Sequence, residues 1–178
     1  MGIGIGISDI FQRASGVAPV PPVPPVVPLY DAYIFLKDQK GTTVLGGAST
    51  AGDWRTRDIT TEVEDTANIC TLAANQFTLQ AGAYRILASA PDYQGTYHQI
   101  RLYNITDGAL ELLGTSEWDG DVTGGQTRSS LQGRFTIAGN KVFEIQYRVA
   151  LGQPGNGLGI GLNWGDNIYT IVELWRET

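Results

Sequence analysis

From Leu29 onward, apolar side chains recur at every second position. Glycine, asparagine and aspartate clusters interrupt that alternation roughly every 8 to 12 residues, the pattern of a β-sandwich or barrel. No long helical stripe competes with it. The alternation predicts strands over 30–37, 53–60, 68–72, 76–79, 83–90, 97–105, 109–117, 128–138, 141–150, 157–163 and 167–176.

Successive side chains of a strand point to opposite faces. Over 83–90, Tyr84, Ile86 and Ala88 share one face and Arg85, Leu87 and Ser89 the other. Over 141–150, Phe143, Ile145, Tyr147 and Val149 oppose Val142, Glu144, Gln146 and Arg148, which reads as a half-buried strand. In the last segment Ile168, Thr170, Val172 and Leu174 oppose Tyr169, Ile171, Glu173 and Trp175, so both faces carry large apolar groups. A sheet that can cover only one face needs a second cover, and another subunit is the simplest source.

The alternation begins abruptly because six of the eight prolines lie between Pro19 and Pro28. Proline fixes φ and removes a donor, so residues 19–28 are expected to be an extended polyproline tether of about 30 Å, at ~3.1 Å per residue. Before it, glycine alternates with isoleucine, and Ser8 could cap a short helix. Ile3, Ile5, Ile7, Ile10 and Phe11 have no core of their own in residues 1–18. They are expected to dock onto a larger partner, since such a surface left in water invites aggregation.

A net charge of −6 argues against a sequence-independent grip on nucleic acid. No apolar run is long enough to cross a membrane, and no basic stretch precedes the apolar N-terminus. Synthesis in a cytoplasm is the expectation. The single cysteine, Cys70, lies in an apolar alternation and reads as a buried small hydrophobe. His98 is the lone histidine, in a strand context that favours a structural role over a catalytic triad. No nucleophile elbow or phosphate loop occurs, and no catalytic residue is assigned.

The segments Trp54 to Glu62 and Asn75 to Ala88 resemble a C1q/TNF-like jelly roll, with a short aromatic strand, a glycine turn and then a tyrosine strand. Ile100 to Gly108 and Lys141 to Tyr147 resemble its middle strands, and Ile168 to Trp175 its closing strand. The resemblance covers Tyr30 to Thr178 and implies an all-β, ten-stranded jelly-roll sandwich over 29–178, carrying an extended proline-rich arm. It also implies a homotrimer formed through the face of the first and last strands, with Phe35, Leu36, Tyr169, Ile171 and Trp175 as candidate contacts. The variant with Trp54-Arg-Thr-Arg-Asp58 is similar to domains of phage and gene-transfer-particle fibres and head spikes. Complement C1q proteins differ in carrying a Gly-X-Y stalk, which this chain lacks.

The expectation is therefore a non-enzymatic virion-surface protein. It would dock through residues 1–18 to a capsid, portal or tail protein and bind host-surface polysaccharide through its jelly roll. A capsid decoration or cement protein without glycan binding is the alternative. An aromatic loop distal from residue 29 would favour adhesion. The loop Ser116 to Gly125 carries Trp118, whose flat face suits a sugar ring, with Asp119 and Asp121 beside it. Trp164, in Asn163-Trp-Gly-Asp-Asn167, is the second candidate, whereas Trp54 reads as core. No resident cofactor or metal is expected. Asp119 and Asp121 around Gly120 could ligate calcium, although full calcium loops supply more oxygens.

Overall fold

The computed structural model describes residues 29–120 and 125–178. The expected docking peptide and tether, and Asp121, lie outside the described residues. Twelve strands are present among those described: β1 Tyr30–Lys40, β2 Arg55–Thr56, β3 Thr61–Asp65, β4 Cys70–Ala73, β5 Gln76–Leu79, β6 Gly82–Tyr93, β7 Tyr97–Asn104, β8 Ala109–Leu113, β9 Glu117–Trp118, β10 Gln126–Ile137, β11 Lys141–Val149 and β12 Asn167–Glu177.

Ten of these build two five-stranded sheets, in the orders β10-β6-β12-β1-β3 and β4-β5-β11-β7-β8. The two-residue strands β2 and β9 attach to β11 and β7 in the second sheet. Every strand pair is antiparallel. β1 and β12 lie side by side, as the jelly-roll expectation requires.

The two inner faces supply the core, following the alternation. Ile34, Leu36, Tyr84, Ile86, Val172 and Leu174 from the first sheet meet Phe77, Leu79, Ile100, Leu102, Phe143 and Ile145 from the second, all buried. Rings cross the interface in series: Tyr84 to Phe135 at 5.6 Å, Phe135 to Phe143 at 5.2 Å, and Phe143 to Phe77 at 6.0 Å between centroids. Leu36 therefore belongs to the core and not to a subunit contact. Cys70 is buried, and burial pushes its thiol up to about 12.

Some expectations need correction. No strand forms over 157–163. That segment packs as an irregular loop on 43–49, with Leu158 donating to Gly47 and Gly46 to Gly159. Gly159 has φ +136°, and a Cβ there would fall 2.3 Å from the Tyr169 ring, so the glycine is what lets the loop close over Tyr169. The expected strand over 109–117 breaks into β8 and β9, because Gly114 turns to donate to Ile100 and Thr115 to Ser130. β11 is covered on its polar face too: Glu144 takes Thr56 and Gln76 at 3.0 Å each, so a buried polar network stands where a half-exposed face was expected.

The β4–β5 hairpin turns on Ala74 and Asn75, with φ of 51° and 65°. Two positive φ values make this a primed hairpin turn, which favours glycine or asparagine. Ala74 bears the steric penalty of an L-residue there. Ala74→Gly should raise stability by roughly 1 kcal/mol, read as a higher urea midpoint at unchanged m-value.

Candidate functional site

Strand register assigns the ends of the sandwich. Tyr30 pairs with Glu177 at the end where the N-terminal arm joins, and Lys40 pairs with Asn167 at the other. Eleven residues of β1 separate these ends by about 35 Å, at ~3.3 Å per residue. β6 pairs Ala83 with Glu177, so Tyr93 and the turn into Tyr97 lie at the distal end. Val149 pairs with His98 there, and Trp118 with Tyr97. Trp118 and Trp164 thus lie at the distal end, whereas Trp175 lies near the arm.

Beneath the distal loops the apolar core gives way to a polar layer. Arg57 is buried, and its guanidinium donates to Thr170 Oγ1 at 3.2 Å, Pro91 O at 3.1 Å and Leu158 O at 2.9 Å. Burial lowers its pKa to about 10, against the nearby Asp38 and Asp92 carboxylates, so it stays charged at neutral pH. Asp38 points inward from β1 and meets Lys40 Nζ at 3.3 Å. Burial raises the Asp38 pKa. His98 is buried, with Nε2 2.7 Å from Thr127 Oγ1, and burial lowers its pKa. These partners give His98 a structural place.

The residues of the acidic loop point in different directions. Trp118 is 63% exposed, but Asp119 turns inward, where Oδ2 accepts from the Gly95 N–H at 2.9 Å and Oδ1 is buried without a partner among the described residues. Asp119 therefore does not stand beside Trp118 on the surface, which corrects its place in the expected glycan site. It faces Asp92 instead, both of whose carboxylate oxygens are buried. Among the described residues, no three His, Cys, Asp or Glu side chains converge as a metal site.

Trp164 is 91% exposed and borders a cavity of about 300 Å³ with Ile160, Leu162 and Ile168. A larger cleft, of about 560 Å³, is lined by Trp54, Tyr97, Gln99, Ser116, Glu117 and Arg148, among others. Trp54 is not core. Its ring lies under the Arg101 guanidinium at 4.4 Å on the outer face of the second sheet. Apart from the tryptophan, sequence reasoning gave no notice of this cleft, because only the pairing of Gln99 with Arg148 brings its two sides together.

The outer face of the first sheet carries the other cluster. Cross-strand rows read Tyr33–Trp175–Arg85, Phe35–Glu173–Leu87 and Lys37–Ile171–Ser89. The Tyr33 and Trp175 rings are 5.4 Å apart, and Tyr30 adds a third ring 6.3 Å from Trp175. Phe35, Ile171 and Trp175 are partly exposed, and Leu87 is exposed. Tyr169 differs from the other three candidate contacts. It is 2% exposed, its hydroxyl donates to Val44 O at 2.6 Å, and its own chain already covers it.

No protein-family model matches the chain. No curated protein matches it either. Solved structures do. Murine APRIL at pH 8.0 superposes with a TM-score of 0.53 at 8% identity, over 82% of this chain and 98% of that one. The globular domain of zebrafish complement 1qA does so with a TM-score of 0.52 at 13% identity, over 82% and 96%. The PRD1 vertex protein P5 gives a TM-score of 0.47 at 14% identity, over 84% and 99%, too weak a likeness to argue from. The fold is the C1q/TNF-like jelly roll.

Burial, reinforced by the neighbouring Asp119 charge, pushes Asp92 up to about 7, from an ordinary value near 4. Between about pH 4 and 7 the folded protein holds a proton that the unfolded chain has released, so stability falls as pH rises. This contribution is full below about pH 4 and lost through about pH 7. Asp92→Asn should flatten that slope in urea titrations and raise the midpoint at pH 8.

Proposed function

We propose that this chain is a non-enzymatic, host-contacting subunit of a homotrimeric fibre or head spike on a phage-like particle. Residues 1–18 dock to a capsid, portal or tail protein, residues 19–28 bridge, and the jelly roll of 29–178 projects outward. The outer face of the first sheet forms the trimer contact, where each row of rings and aliphatics includes a charged group that can meet its opposite on a second copy. The distal end contacts host-surface carbohydrate.

One observation carries this reading. Two exposed tryptophans, Trp118 and Trp164, stand at the end farthest from the arm. A residue like Trp164, with 91% of its surface in water, contributes nothing to the core, and its flat apolar face suits the C–H face of a sugar ring. A cement protein whose work is done by clamping neighbours has no use for such residues at its free end.

Carbohydrate arrays and whole host cells, probed with the full chain and with Trp118→Ala and Trp164→Ala, test the reading. Each substitution should weaken binding several-fold to about tenfold while leaving the melting temperature unchanged, because both side chains lie outside the core. A wild-type chain that binds neither cells nor glycans favours the cement role.

A further inference from the structure

We infer that the cleft between β7, β9 and β11 is a binding site for a carboxylated sugar, a hexuronate or sialate unit, recognised by Arg148 beside the rings of Trp54 and Tyr97. This rests on the adhesive reading of the distal end and assigns it a ligand class.

The unpartnered guanidinium of the cleft points to an acid. Among the described residues, its charged lining groups are Glu117 and Arg148. Glu117 is partly buried and takes the Thr115 hydroxyl at 2.7 Å. Arg148 is exposed, and its guanidinium makes no ion pair or hydrogen bond with any described residue. A guanidinium fork binds a carboxylate bidentately and in a fixed plane, which a hydroxyl cannot reproduce.

The remaining lining points to a pyranose. Tyr97 is 67% exposed and Trp54 partly exposed, so two aromatic side chains border the cleft. Trp54 is held in place beforehand. Arg101 lies over its ring at 4.4 Å and over the Tyr103 ring at 4.5 Å, and Arg101 Nε donates to Gln146 Oε1 at 2.7 Å. Such a fixed platform loses little freedom on binding. Gln99 and Ser116 stand beside it as partners for ring hydroxyls, with Gln99 Nε2 already donating to Gly114 O at 2.8 Å. The volume of about 560 Å³ lies within the usual range for small-ligand sites. The net charge of −6 opposes long polyanions, so short acidic units at chain ends or branches suit the site better than a polymer.

The test is calorimetric titration of the full chain with trigalacturonate, trimannuronate and 3′-sialyllactose, each beside its methyl ester, followed by a neutral-glycan array. At least one acid should bind, at least about tenfold more tightly than its ester. Arg148→Gln should reduce the acid to the ester's affinity and leave the ester unchanged, whereas Tyr97→Ala should weaken both. Equal affinity for acid and ester overturns the inference, as does an acid indifferent to Arg148→Gln. If no acid binds, the inference also falls: neutral-glycan binding then leaves the adhesive reading standing, and a silent array removes both.

Discussion

β12 is hydrogen-bonded along both edges, to β1 on one side and β6 on the other. Without it the first sheet separates into β1 with β3 and β6 with β10, and neither pair covers the second sheet. This central strand therefore fixes more than the sheet. Its register against β1 puts the N-terminal arm at one end and the loops before Asn167 at the other. The separation of residue 29 from the distal loops is a consequence of that pairing.

The distal loops need a rigid base, and the polar layer under them provides one. A buried guanidinium with three hydrogen bonds ties a β2-flanking residue to β12, to β6 and to the loop over 157–162. Such buried charge adds little net stability, because desolvation offsets most of its attraction. Its directional bonds nevertheless favour one arrangement of the loops over others that apolar packing alone would tolerate.

Period-two alternation made the sandwich legible, because one-sided burial leaves its mark at every position of Tyr84 to Ala88, and over Phe143 to Val149 the alternation of apolar and polar side chains still tells the inner face from the outer. The same rule misled over 157–163. There glycine alternates with leucine and isoleucine, yet the glycines serve close backbone approach, as Gly159 does against Tyr169. Pairing between distant strands leaves no local mark, so the cleft made where Arg148 meets Gln99 was invisible, and Trp54 was read as core. The Trp118–Asp119 pair was legible as a loop but not by direction: the chain leaves β9 after Trp118, and Asp119 turns inward to the Gly95 N–H.

In the proposed trimer, the outer face of the first sheet decides whether several distal ends point the same way. Tyr33, Phe35, Leu87, Ile171 and Trp175 form one continuous partly apolar surface on the three central strands, interleaved with Lys37, Arg85 and Glu173. Multi-angle light scattering on the full chain and on Trp175→Glu tests this most directly. The account predicts a trimer for the wild type and a folded monomer for the variant, with unchanged far-ultraviolet circular dichroism. A wild-type chain that stays monomeric at high concentration would contradict it.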